Sequence, residues 1–438
     1  MADAAPAAKP PSPAAAWAVA AVATLGMSVS YVDRQTLAAI APSVTRALAI
    51  DNTQYGWLLS AFSMAYLVGA PVAGVVVDRL GARRGFAAAV VVWSLIAGAH
   101  AFAFSFASLF ALRVLLGMAE APSFPAAVQA IRRALPGARR PLAFGLLFTG
   151  SSLGAIVAAK LAVGLDAAYG YRAAFAGTAL IGTLWIPLWL VVTRGFGAPS
   201  AAVAAPSAPG ASPDDTPEPP DDAPKPSVDD APEPRASWAA VVTSPPVLRA
   251  IVAIVGSAPL LMFVLNWTAK YLVDAWQLPR EDVGTFLVAP PLLFDLGAIG
   301  FGALASARRD PGPAGPTQSA LLFFAMLLAA SLAFVPLTAS PAAAIALFAV
   351  SACGGGGLYV LVTNDMLSRV PVERTSAAGG MTAAAQSLAH VIAAPLVGWT
   401  IDRTHGHDLA LVALGLVVVP TTLAFIAWPG VRRAEASS

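Results

Sequence analysis

Charge is what this sequence has least of. Of its 438 residues only 11% are Asp, Glu, Lys or Arg, against 58% hydrophobic, whereas a water-soluble domain carries about 25% charged residues. So few charges cannot cover a soluble globule of this length, and a mean hydropathy of +0.72 points to a bilayer as solvent. The net charge of +2 excludes an extended nucleic-acid surface. Cysteine is nearly absent: Cys353 alone, inside a glycine run, gives neither a disulfide framework nor a metal site. Signatures of catalysis are missing as well. The chain has no H-E-x-x-H, no G-x-S-x-G and no P-loop, so an integral-membrane enzyme finds no motif, no cofactor is expected, and uphill transport would draw on an ion gradient rather than ATP. A receptor or scaffold would carry a sizeable folded soluble segment, and the one long polar segment lacks the residues to fold.

That segment runs from Gly195 to Ser237. It is dense in Pro, Ala, Ser and Asp, with eight acids and two bases, Lys225 and Arg235. It cannot bury enough apolar surface to order itself and is expected to be a disordered linker leading into the next helix over 195–246. Outside it the chain is net +8. Spanning-length apolar runs occupy about 15–41, 53–77, 83–104, 106–131, 142–164 and 171–193 on one side of the linker. On the other they occupy about 247–273, 282–306, 317–337, 341–366, 377–400 and 408–428. The first run is too long for a signal-peptide core and reads as a retained helix. The expected fold class is therefore all-α, with twelve transmembrane helices in two bundles of six, over 1–194 and 247–438.

The basic residues are unevenly placed. Arg79, Arg83 and Arg84 follow the second span, Arg132, Arg133, Arg139 and Arg140 the fourth, Arg308 and Arg309 the eighth, and Arg369 and Arg374 the tenth. By the positive-inside rule both termini and the linker are cytoplasmic, which an even number of spans allows. The two halves also repeat one another. Spans four and ten both end in Arg and Pro, and spans two and eight both lead through glycine into paired arginines, the plan of repeat-built transporters.

Ionisable residues inside the spans carry the chemistry. Span one contains Tyr31-Val-Asp33-Arg34, and span four contains Arg113-Val-Leu-Leu-Gly117-Met-Ala-Glu120-Ala-Pro122-Ser-Phe-Pro125. Charges in apolar helices are costly and face a cavity or one another. Arg113 and Glu120 share a helix face about 10 Å apart along the axis. Asp33 and Arg34 diverge by about 100° and are poor partners, so pairing across helices is expected, with Asp33 level with Arg113 and Glu120 within reach of Arg34. A structural ion-pair network is the other reading. Asn266 in span seven is either a hydroxyl-binding group or an amide satisfying nearby backbone. Gln386 and His390 are the polar residues of span eleven, His390 being a titratable group or a hydrogen-bonded packing residue. The glycine run 354–357 is either a hinge or a close helix crossing.

The loop after span two reads Gly74-Val-Val-Val-Asp78-Arg79-Leu-Gly81-Ala-Arg83-Arg84 and resembles the G-x-x-x-D-R-x-G-R-R signature of the major facilitator superfamily. A basic anchoring loop is the plainer reading, but anchoring needs neither the acid nor the glycines. The resemblance implies that this motif governs gating. Y-x-D-R in span one with R-x6-E-A-P-x-F-P in span four resembles the anion:cation symporter branch, which includes hexuronate and galactonate transporters and sialin. Tyr66, Gly170-Tyr171-Arg172-Ala-Ala-Phe175, Trp267-x-x-x-Tyr271-Leu272 and Asp295-Leu-Gly297 extend the likeness over all but the termini and linker. It implies Asp33 and Glu120 as the proton-titrating pair, Arg113 coupling to Asp33, Arg34 holding the substrate carboxylate, and Tyr31 and Tyr66 donating to substrate. Proton-coupled symport of an organic anion, a sugar acid or another carboxylate, across the bacterial inner membrane follows, by a monomer. The branch pattern departs at Ala384, where sugar-acid members carry Asn eleven residues before Pro395. A proton-coupled drug antiporter is the alternative, though a cation exporter gains nothing from Arg34.

Overall fold

The computed structural model describes residues 12–136, 139–194, 243–306, 318–370 and 375–428; the side chains of some helical positions, Asp78 among them, lie outside that description. The described residues are helical, without strands. In chain order they form α1 (Pro13–Ala39), α2 (Ala41–Ala47), α3 (Asn52–Leu80), α4 (Ala82–Ala99), α5 (Phe106–Glu120), α6 (Ser123–Ala134), α7 (Arg140–Tyr169) and α8 (Tyr171–Val192). The second half forms α9 (Pro245–Asn266), α10 (Thr268–Trp276), α11 (Arg280–Phe286), α12 (Ala289–Ser306), α13 (Ser319–Ala330), α14 (Pro341–Arg369), α15 (Thr375–Thr404) and α16 (Asp408–Ala427). Among them eleven helical stretches are long and apolar enough to cross a membrane. The 29-residue α3 is the twelfth helix of spanning length.

The boundaries have local causes. Asp51 caps α3 in a reciprocal box with Gln54, and Ser105 does the same for α5 with Ser108, satisfying backbone donors that helix starts leave unpaired. Gly81, at φ 76°, ends α3 and begins α4 in one residue, a conformation that a side chain would oppose. Span four breaks just after Glu120, because Pro122 and Pro125 cannot donate to the preceding turn. The four glycines of 354–357 do not interrupt α14. Gly354 abuts the backbone of α13 and Gly356 that of α12, so of the two readings of this run the structure shows the close crossing.

Leu180, Leu184, Leu188 and Val191 line one outer face of α8, and Leu292, Leu296 and Ile299 one of α12; spaced three or four apart, they form apolar stripes suited to lipid. Inside, the first half packs around Phe86, Trp93, Trp185 and Trp189. The second half has its own core, which continues into Leu37, Ile40 and Tyr55 of the first. The shared core thus joins the halves through the distal parts of α1 and α3. With the start of α1 defining the terminal face, the linking hydrogen bonds lie toward the opposite, distal face. Asp402 of α15 accepts from the backbone and side chains of Asn52 and Thr53 at 2.6–3.2 Å. Tyr55 donates to the Asn266 carbonyl at 2.6 Å, Ser60 to that of Val391 at 2.7 Å, and Lys160 to Thr285 at 3.0 Å. Nearer the terminal face, a side chain added at Gly379 or Gly380 of α15 would meet nothing within 4 Å.

Residues 195–242, most of the expected linker, lie outside the described residues. The helix into which the expected 195–246 segment leads, α9, begins at Pro245 with proline in the first helical turn, where its missing N–H costs nothing.

Candidate functional site

The charge cluster is assembled by α1, α3 and α5. On α1, Ser30 and Arg34 stand one turn apart on the same face. Gly117 lets α5 approach the backbone of α3 at Phe62 and Tyr66, and the proline break places Glu120 at the inner end of α5. Glu120 is fully buried. Its Oε2 accepts from Arg34 Nη2 at 3.1 Å and from the Ser30 hydroxyl at 2.7 Å, while Oε1 has no protein partner. Arg34 keeps 19% of its side-chain surface exposed, and its guanidinium lies over the rings of Tyr31 at 4.6 Å, Phe62 at 4.6 Å and Tyr66 at 5.0 Å. Aromatic faces hold a cation without neutralising it.

The expected pair of Asp33 and Arg113 does not form. Arg113 runs along α3 instead, with its guanidinium over Phe62 at 4.7 Å and Nε at 3.5 Å from the Leu58 carbonyl, and Nη1 unpaired. Asp33 is buried, and neither of its oxygens has a protein partner. Asp33 and Arg34 are about 100° apart around α1, so the rotation that brings Arg34 to Glu120 also sets where Asp33 faces, and Arg113 lies over Phe62.

Beside the cluster, a cavity of about 210 Å³ lies between the halves. From the first half Tyr31, Arg34, Gln35 and Arg113 reach its wall, with Ser151 and Ser152 of α7. The second half supplies Met262, Leu265 and Phe294, an apolar wall, and the polar groups Asn266, Gln386 and His390. Asn266 donates its amide to the Met262 carbonyl at 2.9 Å, so the backbone-satisfying role is occupied while the residue still borders the cavity. His390 Nε2 donates to the Ala258 carbonyl at 3.1 Å, which assigns that nitrogen its proton. Tyr66 stacks on Phe62 with centroids 6.1 Å apart and lies under the Arg34 guanidinium, behind the residues that line the cavity.

The loop motif stands apart from this cavity. Arg83 donates to the Thr193 hydroxyl and the Leu190 carbonyl, each at 3.3 Å, at the end of α8, and Arg79 and Arg84 are exposed. The expected pairing of Asp78, and the packing of Gly74, lie outside the described residues.

Phe62, Ser30 and Gln35 escaped the sequence reading. Ser30 precedes Arg34 by one helical turn, a spacing that could have found it. Phe62 precedes Tyr66 by the same interval, but a phenylalanine in an apolar helix gives no signal of its own. Asp402 stands three residues before the positive-φ His405, and an acid near a helix end gives no signal of a bond to another helix.

Comparison with known proteins places this geometry among transporters. The sequence profile of the Major Facilitator Superfamily matches residues 23–394. The chain is 37% identical to the hexuronate transporter of Escherichia coli (strain K12) over 175 residues, 40% of each protein, so the alignment spans well under half of that relative. It is 26% identical to the hexuronate transporter of Bacillus subtilis (strain 168) over 407 residues, 91% of each. A solved bacterial homolog to the human lysosomal transporter Spinster, in an inward-facing and unoccupied conformation, superposes with a TM-score of 0.71 over 95% of each chain at 16% identity, a likeness of fold alone.

Proposed function

Because this chain belongs to the Major Facilitator Superfamily, we propose that it is a secondary transporter carrying a small organic anion together with protons across the bacterial inner membrane by alternating access. The observation that carries the reading is Arg34: a cation at the wall of a membrane-embedded cavity, held in place by rings and by one internal carboxylate that a substrate could replace.

The coupling follows from competition. Arginine presents a planar fork suited to a carboxylate, and Glu120 occupies one edge of it. An anion arriving from the cavity competes with Glu120 for that edge. A proton on Glu120 withdraws the internal competitor, and an anion on Arg34 deprives Glu120 of the charge that keeps it ionised. Each event favours the other, which is thermodynamic linkage between anion and proton. Asp33 supports the same reading: a buried carboxyl without a hydrogen-bonding partner is far less costly with a proton than with a charge. With both termini cytoplasmic, the cavity communicates with the cytoplasm and the distal contacts close the outer side. One chain encloses the whole cavity, so a monomer suffices. The relatives' names make hexuronates the first substrates to test.

The test is uptake of labelled galacturonate by proteoliposomes of the full chain, with the outside acid and the inside alkaline. The expected result is accumulation that collapses with the gradient, and loss of binding in Arg34→Ala. Undiminished affinity in that variant would remove Arg34 from its role, and a cationic substrate expelled under the same gradient would replace the symport reading with drug antiport.

A further inference from the structure

We propose that the cavity is built for a small organic dianion, a short-chain dicarboxylate, rather than for an anion of single charge; the proposal rests on the anion-transport reading above. Arg34 and Arg113 both border the cavity, and no Asp or Glu is among its lining residues. Both guanidinium groups lie over one ring, at 4.6 and 4.7 Å from the Phe62 centroid, so their separation cannot exceed the sum of those distances. A short molecule with an acid group at each end can address both.

The two arginines differ in what already neutralises them. Arg34 has Glu120 at 3.1 Å. Arg113 is 98% buried by side-chain and backbone surface, its relative exposure being 2%, yet among the described residues it has no carboxylate partner, only the Leu58 carbonyl at 3.5 Å and an unpaired Nη1. Asp33, the acid closest to it in sequence logic, is paired with neither arginine. A buried cation without a counter-charge is costly, and Phe62 compensates it only in part.

Binding a monoanion would settle one guanidinium and leave the other as it stands. A dianion places one carboxylate on Arg113 and the second on Arg34 once Glu120 carries a proton. Two guanidinium charges then face two carboxylates, and Glu120 is neutral behind them. Phe62 keeps the two cations on fixed sides of one rigid surface, so the spacing between the acid groups becomes a selection criterion.

The experiment compares matched acids on the purified full chain at a fixed acidic pH, by calorimetry and thermal shift: galactarate against galactonate, and succinate against butyrate. Within each pair one terminal carboxylate is exchanged for an uncharged group. The expected result is at least tenfold tighter binding of the diacid in at least one pair. Arg113→Gln should weaken that diacid by tenfold or more and the monoacid less, bringing the ratio toward one, with Arg113→Lys intermediate. Should Arg113→Gln fail to fold, Phe62→Leu replaces it, with the ratio again falling. Equal or tighter binding of the monoacid in both pairs overturns the proposal, as does an Arg113→Gln effect of equal size on both members. A panel of other monocarboxylates binding while neither diacid does overturns this proposal and leaves the anion reading standing; no binding by any acid overturns both.

Discussion

Spans four and ten hold the same place in the two halves and have been put to opposite uses. Span four carries Arg113 and Glu120, lies against α3 and α1, and is broken by proline immediately after its acid. Span ten, α14, has four glycines at the corresponding level, remains one unbroken helix and meets the backbones of α12 and α13 directly. The charged residues that line the cavity, Arg34 and Arg113, come from the first half, and the second half faces it with neutral side chains and dense packing behind them. A repeat-built protein need not duplicate its chemistry at the cavity: the arginines that border it come from one half, while the charges of span ten, Asp365 and Arg369, pair with each other and with Arg249 away from it.

The contrast can be broken most severely at Glu120. Glu120→Gln keeps shape and hydrogen bonding but removes the charge. Counterflow exchange of preloaded substrate should persist while accumulation against a gradient disappears, and a variant that still concentrates substrate would show that coupling lies elsewhere. The matching change in α14, Gly354→Leu, should leave coupling intact and strike stability, because the new side chain meets the α13 backbone. A loss of about 1–3 kcal/mol is expected for such overpacking, read as a lowered unfolding temperature in detergent.

Asp402→Ala sharpens the comparison at the distal face, where the halves touch. Removing a carboxylate that caps a helix start costs about 1–2 kcal/mol, here charged against the distally closed state alone. Labelling of a cysteine introduced at Leu59 from the distal side should accelerate, and unchanged labelling would mean other contacts hold that side shut. The smallest effect is expected at Asn266. Its amide already serves the Met262 carbonyl, so Asn266→Ala should change KM by less than about threefold, below the scale of a net hydrogen bond to substrate.

Twelve spans, the bundle halves and the meeting of Arg34 with Glu120 were readable from the sequence, because apolar run length and the rarity of buried charge are strong signals. Asp33 and Arg113 show where such reading stops. Heights along two helices can be estimated from rise per residue, but rotation about each axis is set by packing, and the ring of Phe62 drew Arg113 away. Tyr66, expected to donate to substrate, stands on Phe62 and under the Arg34 guanidinium, a placement that depends on the same rotation. Asp402 was invisible because its partners, the backbone and side chains of Asn52 and Thr53, are some 350 positions away, and no residue type announces a bond to another helix's start.

That last bond has a consequence for how the distal mouth must open. Two of the four amide hydrogens that any helix start leaves orphaned are, in α3, committed in part to a carboxylate from the opposite half. Pulling the halves apart strips both the acid and those donors of their partners at once, and neither is tolerable in a dry gap. Solvent must therefore enter as the contact parts, so the distal passage is hydrated from its first moment rather than after it has widened.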